Sequence, residues 1–199
     1  ELFFDGKPMD IARYPNEGWL KIAGVPHDGK DRFNFEGDRP TRWQKAADIW
    51  VHGFWTWDWA DSYEKVASID LENKQIFTLA PHGVYGYKPG GRYYVLNLIE
   101  EIDQPGEYVV DTSTGVLYFW PPAPIASARA YVSTINTLFE LNEVSNLTLR
   151  GLTLEMARGS GLTLTGGNHN RIIGCTLRNL GNLGASLAGG TDNGIIGCD

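Results

Sequence analysis

The chain has 199 residues and a net charge of −7, and its Lys and Arg residues never cluster, which argues against nucleic acid or an anionic membrane as partner. Apolar content is 42% and ordinary, but no apolar run approaches the ~18 residues that span a bilayer. Aromatic content of 12%, with 7 Trp and 24 Gly, fits a turn-rich all-β chain.

In chain order, residues 1–15 read as a hairpin, with Leu2-Phe3-Phe4 and Met9 to Arg13 around the turn Asp5-Gly6-Lys7-Pro8. Residues 24–42 lack periodicity and read as a long surface loop. Ile49 to Trp59 is the most aromatic stretch. As a strand it would put Trp55, Trp57 and Trp59 on one face and His52, Thr56 and Asp58 on the other. Val66–Ile69 and Ile76–Leu79 form a second hairpin around residues 71–74. Tyr94–Ile102 reads as a short helix stopped before Pro105-Gly106. Glu107–Asp111 and Val116–Trp120 form a third hairpin. Pro124 to Ala128 then marks a boundary, giving a β-rich non-repeating region over 1–125 and a different region over 126–199.

That second region repeats itself. Gly-Leu-Thr-Leu at 151–154 returns as Gly-Cys-Thr-Leu at 174–177 and restarts at Gly197, a period of 23 residues. Gly161 to Gly167 returns with the same period at Gly184 to Gly190. A unit this short, with alternating apolar residues and no 3.6-residue rhythm, predicts stacked strands: a right-handed parallel β-helix, truncated after its first coils. Phe139/Leu162/Ala185, Leu141/Leu164/Leu187, Leu149/Ile172/Ile195 and Leu152/Cys175/Cys198 are expected inward. Glu140/Thr163/Ser186 and Thr153/Thr176/Asp199 are expected outward. Asn170 and Asn193 should form an amide ladder at a bend. Cys175 and Cys198 are expected to stack as free thiols, because parallel Cβ vectors hold the sulfurs poorly for a bridge.

Catalysis on such a fold needs polar side chains on one outer face. The outward set is Glu140, Thr163 and Ser186, with Asn146, His169 and Asp192 at one equivalent position after the Gly-Gly turn. A glycosidase needs two carboxyl groups ~5–10 Å apart, and neighbouring coils lie ~4.8 Å apart. Asp192 and Asp199, the carboxylates nearest the end of the chain, are the candidate catalytic residues, with only one half of such a pair visible; the alternative for Asp192 is a turn residue bonding its own backbone. Glu140, His169, Trp55, Trp57 and Asp58 are candidates for substrate binding, since indoles can stack on the apolar faces of sugar rings; the alternative for the aromatic strand is a sandwich core. His27, His52, His82 and His169 are scattered, so no metal site or cofactor is expected.

Three motifs in order, LFFDGKPMDIARYPN, RYYVLNLIEEIDQPGEYVVDTSTGVLYFWPP and VSNLTLRGLTLE with the glycine-rich coils after it, resemble the bacterial pectate-lyase-like β-helix proteins. Within these the chain is most similar to glycoside hydrolase family 141 and its relatives. The resemblance implies a secreted or periplasmic hydrolase of plant cell-wall or related complex glycans, with carbohydrate as its partner. It also implies acidic residues on later coils, in a Gly-Gly-Asp-Arg type segment equivalent to 188–192. Here Thr191 stands where that segment has Asp, so the matching coil is expected beyond Asp199 and the chain is expected to be part of a longer protein. Two other readings stay open. One is a polysaccharide lyase on uronic acids, which would use Ca²⁺ and a basic residue. The other is a non-catalytic adhesion β-helix.

Overall fold

The structure is a computed structural model that describes residues 1–27, 29–43, 46 and 48–199. Asp28, within the stretch read as a loop, lies outside the described residues. The described residues are almost entirely strand and turn, with three short 3₁₀ turns at Arg39–Trp43, Ile99–Glu101 and Ile125–Ser127. The fold is all-β. The chain forms two compact units, one made of Glu1–Met9 with Pro124–Asp199 and the other of Asp10–Ala123.

The first unit begins with β1 (Leu2–Phe4) and β2 (Lys7–Pro8), an antiparallel hairpin turned at Asp5-Gly6. The expected second arm of that hairpin does not follow it. Residues 10–14 instead open the other unit as β3 (Asp10–Ile11) and β4 (Arg13–Tyr14), because their partners there are distant strands. That unit continues with β5 (Leu20–Lys21), β6 (Arg32–Asn34), β7 (Trp50–Phe54), β8 (Asp61–Asp70), β9 (Gln75–Thr78), β10 (Arg92–Leu96), β11 (Glu107–Asp111) and β12 (Val116–Phe119). A seven-stranded sheet runs β4-β10-β7-β8-β9-β6, with β5 also on β10, and a second sheet runs β12-β11-β3. The β8–β9 and β11–β12 hairpins form as the sequence predicts, the first with a bulge between Val66 and Ser68.

Two expectations in this unit are corrected. Tyr94–Ile102 is not a two-turn helix: only Ile99–Glu101 makes a 3₁₀ turn, and the first part belongs to β10, because Tyr93 and Val95 alternate inward while Arg92 and Tyr94 face the other side, a period of two. The aromatic strand is also shorter than expected. It ends at Phe54, after which Trp55 folds back over Gly53, where an added Cβ would lie 2.6 Å from the indole. Only a residue without a Cβ lets the ring lie there. The core gathers Ile22, Phe33, Trp43, Val51, Trp55, Ile76, Tyr93, Val95 and Leu98.

The first unit resumes with β13 (Ala130–Val132), which pairs with β1. Then come β14 (Thr137–Asn142), β15 (Thr148–Arg150), β16 (Thr153–Glu155), β17 (Ser160–Thr165), β18 (Arg171–Ile173), β19 (Thr176–Arg178), β20 (Ala185–Ala188) and β21 (Gly194–Ile196). These pair in parallel as β14-β17-β20, β15-β18-β21 and β16-β19. The registers set Phe139 beside Leu162 beside Ala185, and Leu149 beside Ile172 beside Ile195, each a 23-residue step. Leu162, Leu164, Ile172 and Cys175 are buried, each apolar side chain contributing at most ~1.5–3 kcal/mol. Leu154 joins them, although the sequence columns did not include it. Leu152 and Ile195, expected inward, are 36% and 45% exposed, since each lies on an outer row of its ladder. Cys175 and Cys198 are free thiols, stacked so that the Cys175 amide donates to Cys198 Sγ at 3.3 Å.

Between strands the backbone turns at left-handed positions that keep the same step. They are Glu143/Gly166/Gly189, Asn146/His169/Asp192, Gly151/Gly174/Gly197 and Met156/Asn179. Gly167 is needed outright, because its φ is +63° and a Cβ there would overlap the Val144 carbonyl. The amide ladder is present. Asn170 Oδ1 accepts from the Leu147 amide at 3.0 Å, Asn170 Nδ2 donates to Val144 O at 2.7 Å, and Asn193 Oδ1 accepts from Asn170 Nδ2 at 2.9 Å.

Candidate functional site

The alternation of β10, β7 and β8 decides what the seven-stranded sheet presents on each face. In register, Arg92, Phe54 and Asp61 form one cross-strand row, and Tyr94, His52 and Tyr63 form the next. All six lie on the face opposite to Val51, Gly53, Tyr93 and Glu64, which point the other way. Trp19, in the turn before β5, lies against the same face, with ring centroids 5.1 Å from Tyr94, 5.5 Å from Phe54 and 5.8 Å from His52. Arg13 stacks on Tyr94 at 4.1 Å and Arg92 on Phe54 at 4.3 Å. Trp19 and Tyr63 stay 36% and 56% exposed, so rings are open to solvent here.

His52 sits in the middle of these rings and is only 7% exposed. Its Nε2 is 2.8 Å from Asp61 Oδ2, while its Nδ1 is buried without a hydrogen-bond partner among the described residues. The bond to His52 holds the Asp61 carboxyl below the usual carboxylate range. Partial burial, with the Tyr94 hydroxyl beside it, pushes the Tyr63 phenol up. Next to Phe54 lies a groove of about 360 Å³ lined by Lys21, Asp58, Lys88 and Arg92, three cations against one carboxylate. Arg92 Nε is 3.1 Å from Asp58 Oδ1, and Lys88 Nζ stands 5.6 Å over the Trp57 ring. Open aromatic faces beside fixed polar groups are what a hydroxyl-rich ring requires, because its C–H faces stack and its hydroxyls bond.

The residues singled out from sequence fall in several places. Trp55 is only 3% exposed and donates its Nε1–H to Ser62 Oγ at 2.7 Å. Its indole is core, and it contributes packing to the unit instead of contact with a ligand. Asp58 lines the groove and reaches Arg92, whereas Trp57, 48% exposed, lies under Lys88 Nζ outside the lining. Glu140 is exposed on β14 beside Thr163. Asp192 and His169 are brought together, with Oδ2 3.7 Å from Nε2, and Asp192 Oδ1 accepts from Arg171 Nη2 at 2.8 Å. The Arg171 guanidinium holds the Asp192 carboxyl below the usual range. Asp199 lies past the far end of β21 from Asp192, its amide bonded to Cys175 O at 3.0 Å.

Trp19, Tyr63, Tyr94, Arg92 and Asp61 were missed from sequence. The alternation in Arg92-Tyr93-Tyr94-Val95-Leu96 was the available signal, hidden by reading that segment as a helix. Nothing local connects Trp19 or Tyr63 to it.

No protein-family model matches the chain, and no curated protein matches it in sequence. Among solved structures, a chain named "Glycoside hydrolase" superposes with a TM-score of 0.84 over 99% of this chain and 45% of its own length. The two are 15% identical, so the likeness shows a shared all-β fold. The chain spans less than half the length of that protein.

Proposed function

We propose that the chain is the carbohydrate-binding part of a glycoside hydrolase, and that its parallel ladders are successive turns of a right-handed parallel β-helix, as in family 141 and its relatives. The observation that carries this reading is the solvent-facing group of Trp19, Phe54, Tyr63 and Tyr94 around His52, beside the groove of Asp58 and Arg92. Support also comes from the likeness to a solved glycoside hydrolase and from the 23-residue step that every parallel pair of the repeating unit keeps. Plant cell-wall and related complex glycans are the proposed substrates. Polymers of that size do not cross membranes, so the protein is proposed to act outside the cell or in the periplasm.

On the repeating unit, Asp192 is the carboxylate proposed for chemistry. Its contact with Arg171 favours the ionised form, which suits a nucleophile or base and not the proton donor of a glycosidase pair.

Binding to a panel of soluble plant polysaccharides, measured by affinity electrophoresis, tests the reading. Retardation by at least one glycan, weakened about tenfold in Trp19→Ala and Tyr63→Ala, is the expected result. A chain that no glycan retards, together with a longer form that releases no sugar from any of them, would remove the proposal.

A further inference from the structure

Three glutamates of the Asp10–Ala123 unit are almost fully enclosed: Glu64, Glu101 and Glu107, at 1%, 0% and 1% exposure. Two of them are consumed by local structure. Glu101 takes the Arg39 guanidinium and the Trp43 Nε1–H, at 2.7 Å for the indole, and Glu107 accepts the Asp103 and Gln104 amides at 2.8 and 3.0 Å. Glu64 differs because one of its partners, His82, lines a cavity. Oε1 accepts from the Gly83 amide at 2.7 Å and from Ser62 Oγ at 3.3 Å; Oε2 takes the Tyr87 hydroxyl and His82 Nδ1, the latter at 3.3 Å. Four donors fill a carboxylate's acceptor sites, so Glu64 has no lone pair left for a ligand. Its effect is on His82. Nδ1 also lies 3.2 Å from Thr78 Oγ1, and with its N–H shared between that oxygen and the Glu64 carboxylate the imidazole carries its free lone pair on Nε2.

That nitrogen makes no hydrogen bond among the described residues, and the His82 side chain is 27% exposed. His82 lines a cavity of about 200 Å³, together with Trp55, Ala60, Ser62, Val84 and Tyr85. The Ser62 and Thr56 hydroxyls on its wall are occupied. Ser62 Oγ is held between Trp55 Nε1 and Glu64, and Thr56 Oγ1 donates to Gly86 O at 2.9 Å. The rim is aromatic and open, with Tyr85 51% exposed and its ring 5.2 Å from that of Trp59, which is 68% exposed. No Lys or Arg lines the cavity among the described residues, whereas Asp61 does and the Glu64 carboxylate stands behind it. The volume is below the ~300 Å³ at which drug-sized ligands begin to fit, which sets the scale at one ring.

We infer that this cavity is a pocket for a single uncharged sugar ring, one hydroxyl donating to His82 Nε2 and one apolar face resting on Tyr85. It borders the face around His52 at Asp61, and the inference rests on the carbohydrate reading above. Glu64 is its positioning residue, fixing the imidazole without touching the ring. An anionic sugar is excluded by the two carboxylates, which act at short range with no cation to offset them.

The test uses the full chain, with methyl xyloside, methyl glucoside and glucuronate as probes and the side-chain ¹⁵N resonances of His82 as readout. A neutral glycoside should move the Nε2 signal and bind about tenfold more weakly to His82→Ala and to Tyr85→Ala, while glucuronate leaves the signal in place. Tyr85→Ala removes only a surface ring, so it keeps the test informative should His82→Ala loosen the fold, which a thermal melt reports. If the chain binds polysaccharide while the His82 resonances stay put, or if glucuronate binds equally well, the pocket is overturned and the carbohydrate reading stands. If it binds no polysaccharide at all, that reading fails with it.

Discussion

The Asp192 carboxylate is bonded to the Arg171 guanidinium at 2.8 Å, a contact made between one row of the β18–β21 ladder and the turn that leads into the next. The guanidinium, with His169 contributing less, lowers the Asp192 pKa. Arg171→Ala should therefore raise the midpoint of Asp192 toward the ordinary aspartate value of ~3.9. Carboxyl-carbon NMR titration of the two forms reads this directly; equal midpoints would show that the pair has no electrostatic effect in solution. The carboxylate is half exposed, so the effect on global stability is expected to be small.

Asp111 gives a second pH signature. It closes the β11–β12 turn, accepting from Ser113 Oγ at 2.6 Å and Thr114 Oγ1 at 2.7 Å, and these hydroxyls hold its pKa down to about 2. Since the folded value is below the unfolded one, the stabilisation is present above ~pH 4 and is lost as pH falls toward 2. In the double variant Ser113→Ala/Thr114→Ala the Asp111 midpoint should move upward, again by carboxyl-carbon NMR. A midpoint unchanged near 2 would mean that the hydroxyls are not its cause.

Asn170→Ala should destabilise the repeating unit by about 2–3 kcal/mol, because it strips partners from the Leu147 amide and the Val144 carbonyl at once. Urea unfolding followed by far-UV circular dichroism measures the loss. A change within ~0.5 kcal/mol would show that water replaces the ladder without cost.

Replacing Glu64 by Gln puts an amide NH₂ where donors already point. Glu64→Gln should cost about 3 kcal/mol, and the imidazole of His82 should lose its fixed tautomer, visible as exchange broadening of its ¹⁵N signals. A variant that melts with the unaltered chain and keeps sharp His82 signals would contradict the assigned network.

Gly167→Ala tests the bend. Its φ of +63° and the Val144 carbonyl facing it both oppose a Cβ, so a loss of about 2 kcal/mol or more is expected by denaturant unfolding. Gly6→Ala, at +76° with open space around it, should lose only the conformational part, about 1 kcal/mol.

Much of the repeating unit was legible in the residues. Its registers depend on neighbours one period apart, so a run such as Leu162-Thr163-Leu164 over Ala185-Ser186-Leu187 states its own pairing. The same logic placed the Asn170 ladder and the free thiols. Asp192 was read either as a catalytic residue or as a turn residue, and both descriptions point to the same bend: it is left-handed at Asn146, His169 and Asp192 alike, a conformation that Asn, Asp and His tolerate best.

The other unit was less legible, and the reason is distance along the chain. Tyr94 and Tyr63 lie beside His52 through cross-strand pairing, and no spacing of residues announces it. Likewise Glu64 and His82 are ordinary members of a strand and a loop until the sheet closes around them.

By itself, then, the sequence determined the all-β character, the 23-residue step and which side chains share a column, because each is encoded by local alternation and repetition. Only tertiary structure decided that Trp55 turns into the core while Trp57 stays outside, that His52 gathers a ring of aromatics, and that Glu64 aims His82 into a cavity. Those outcomes depend on which strands become neighbours, and burial of one face of a sheet selects among pairings that the local pattern leaves equivalent.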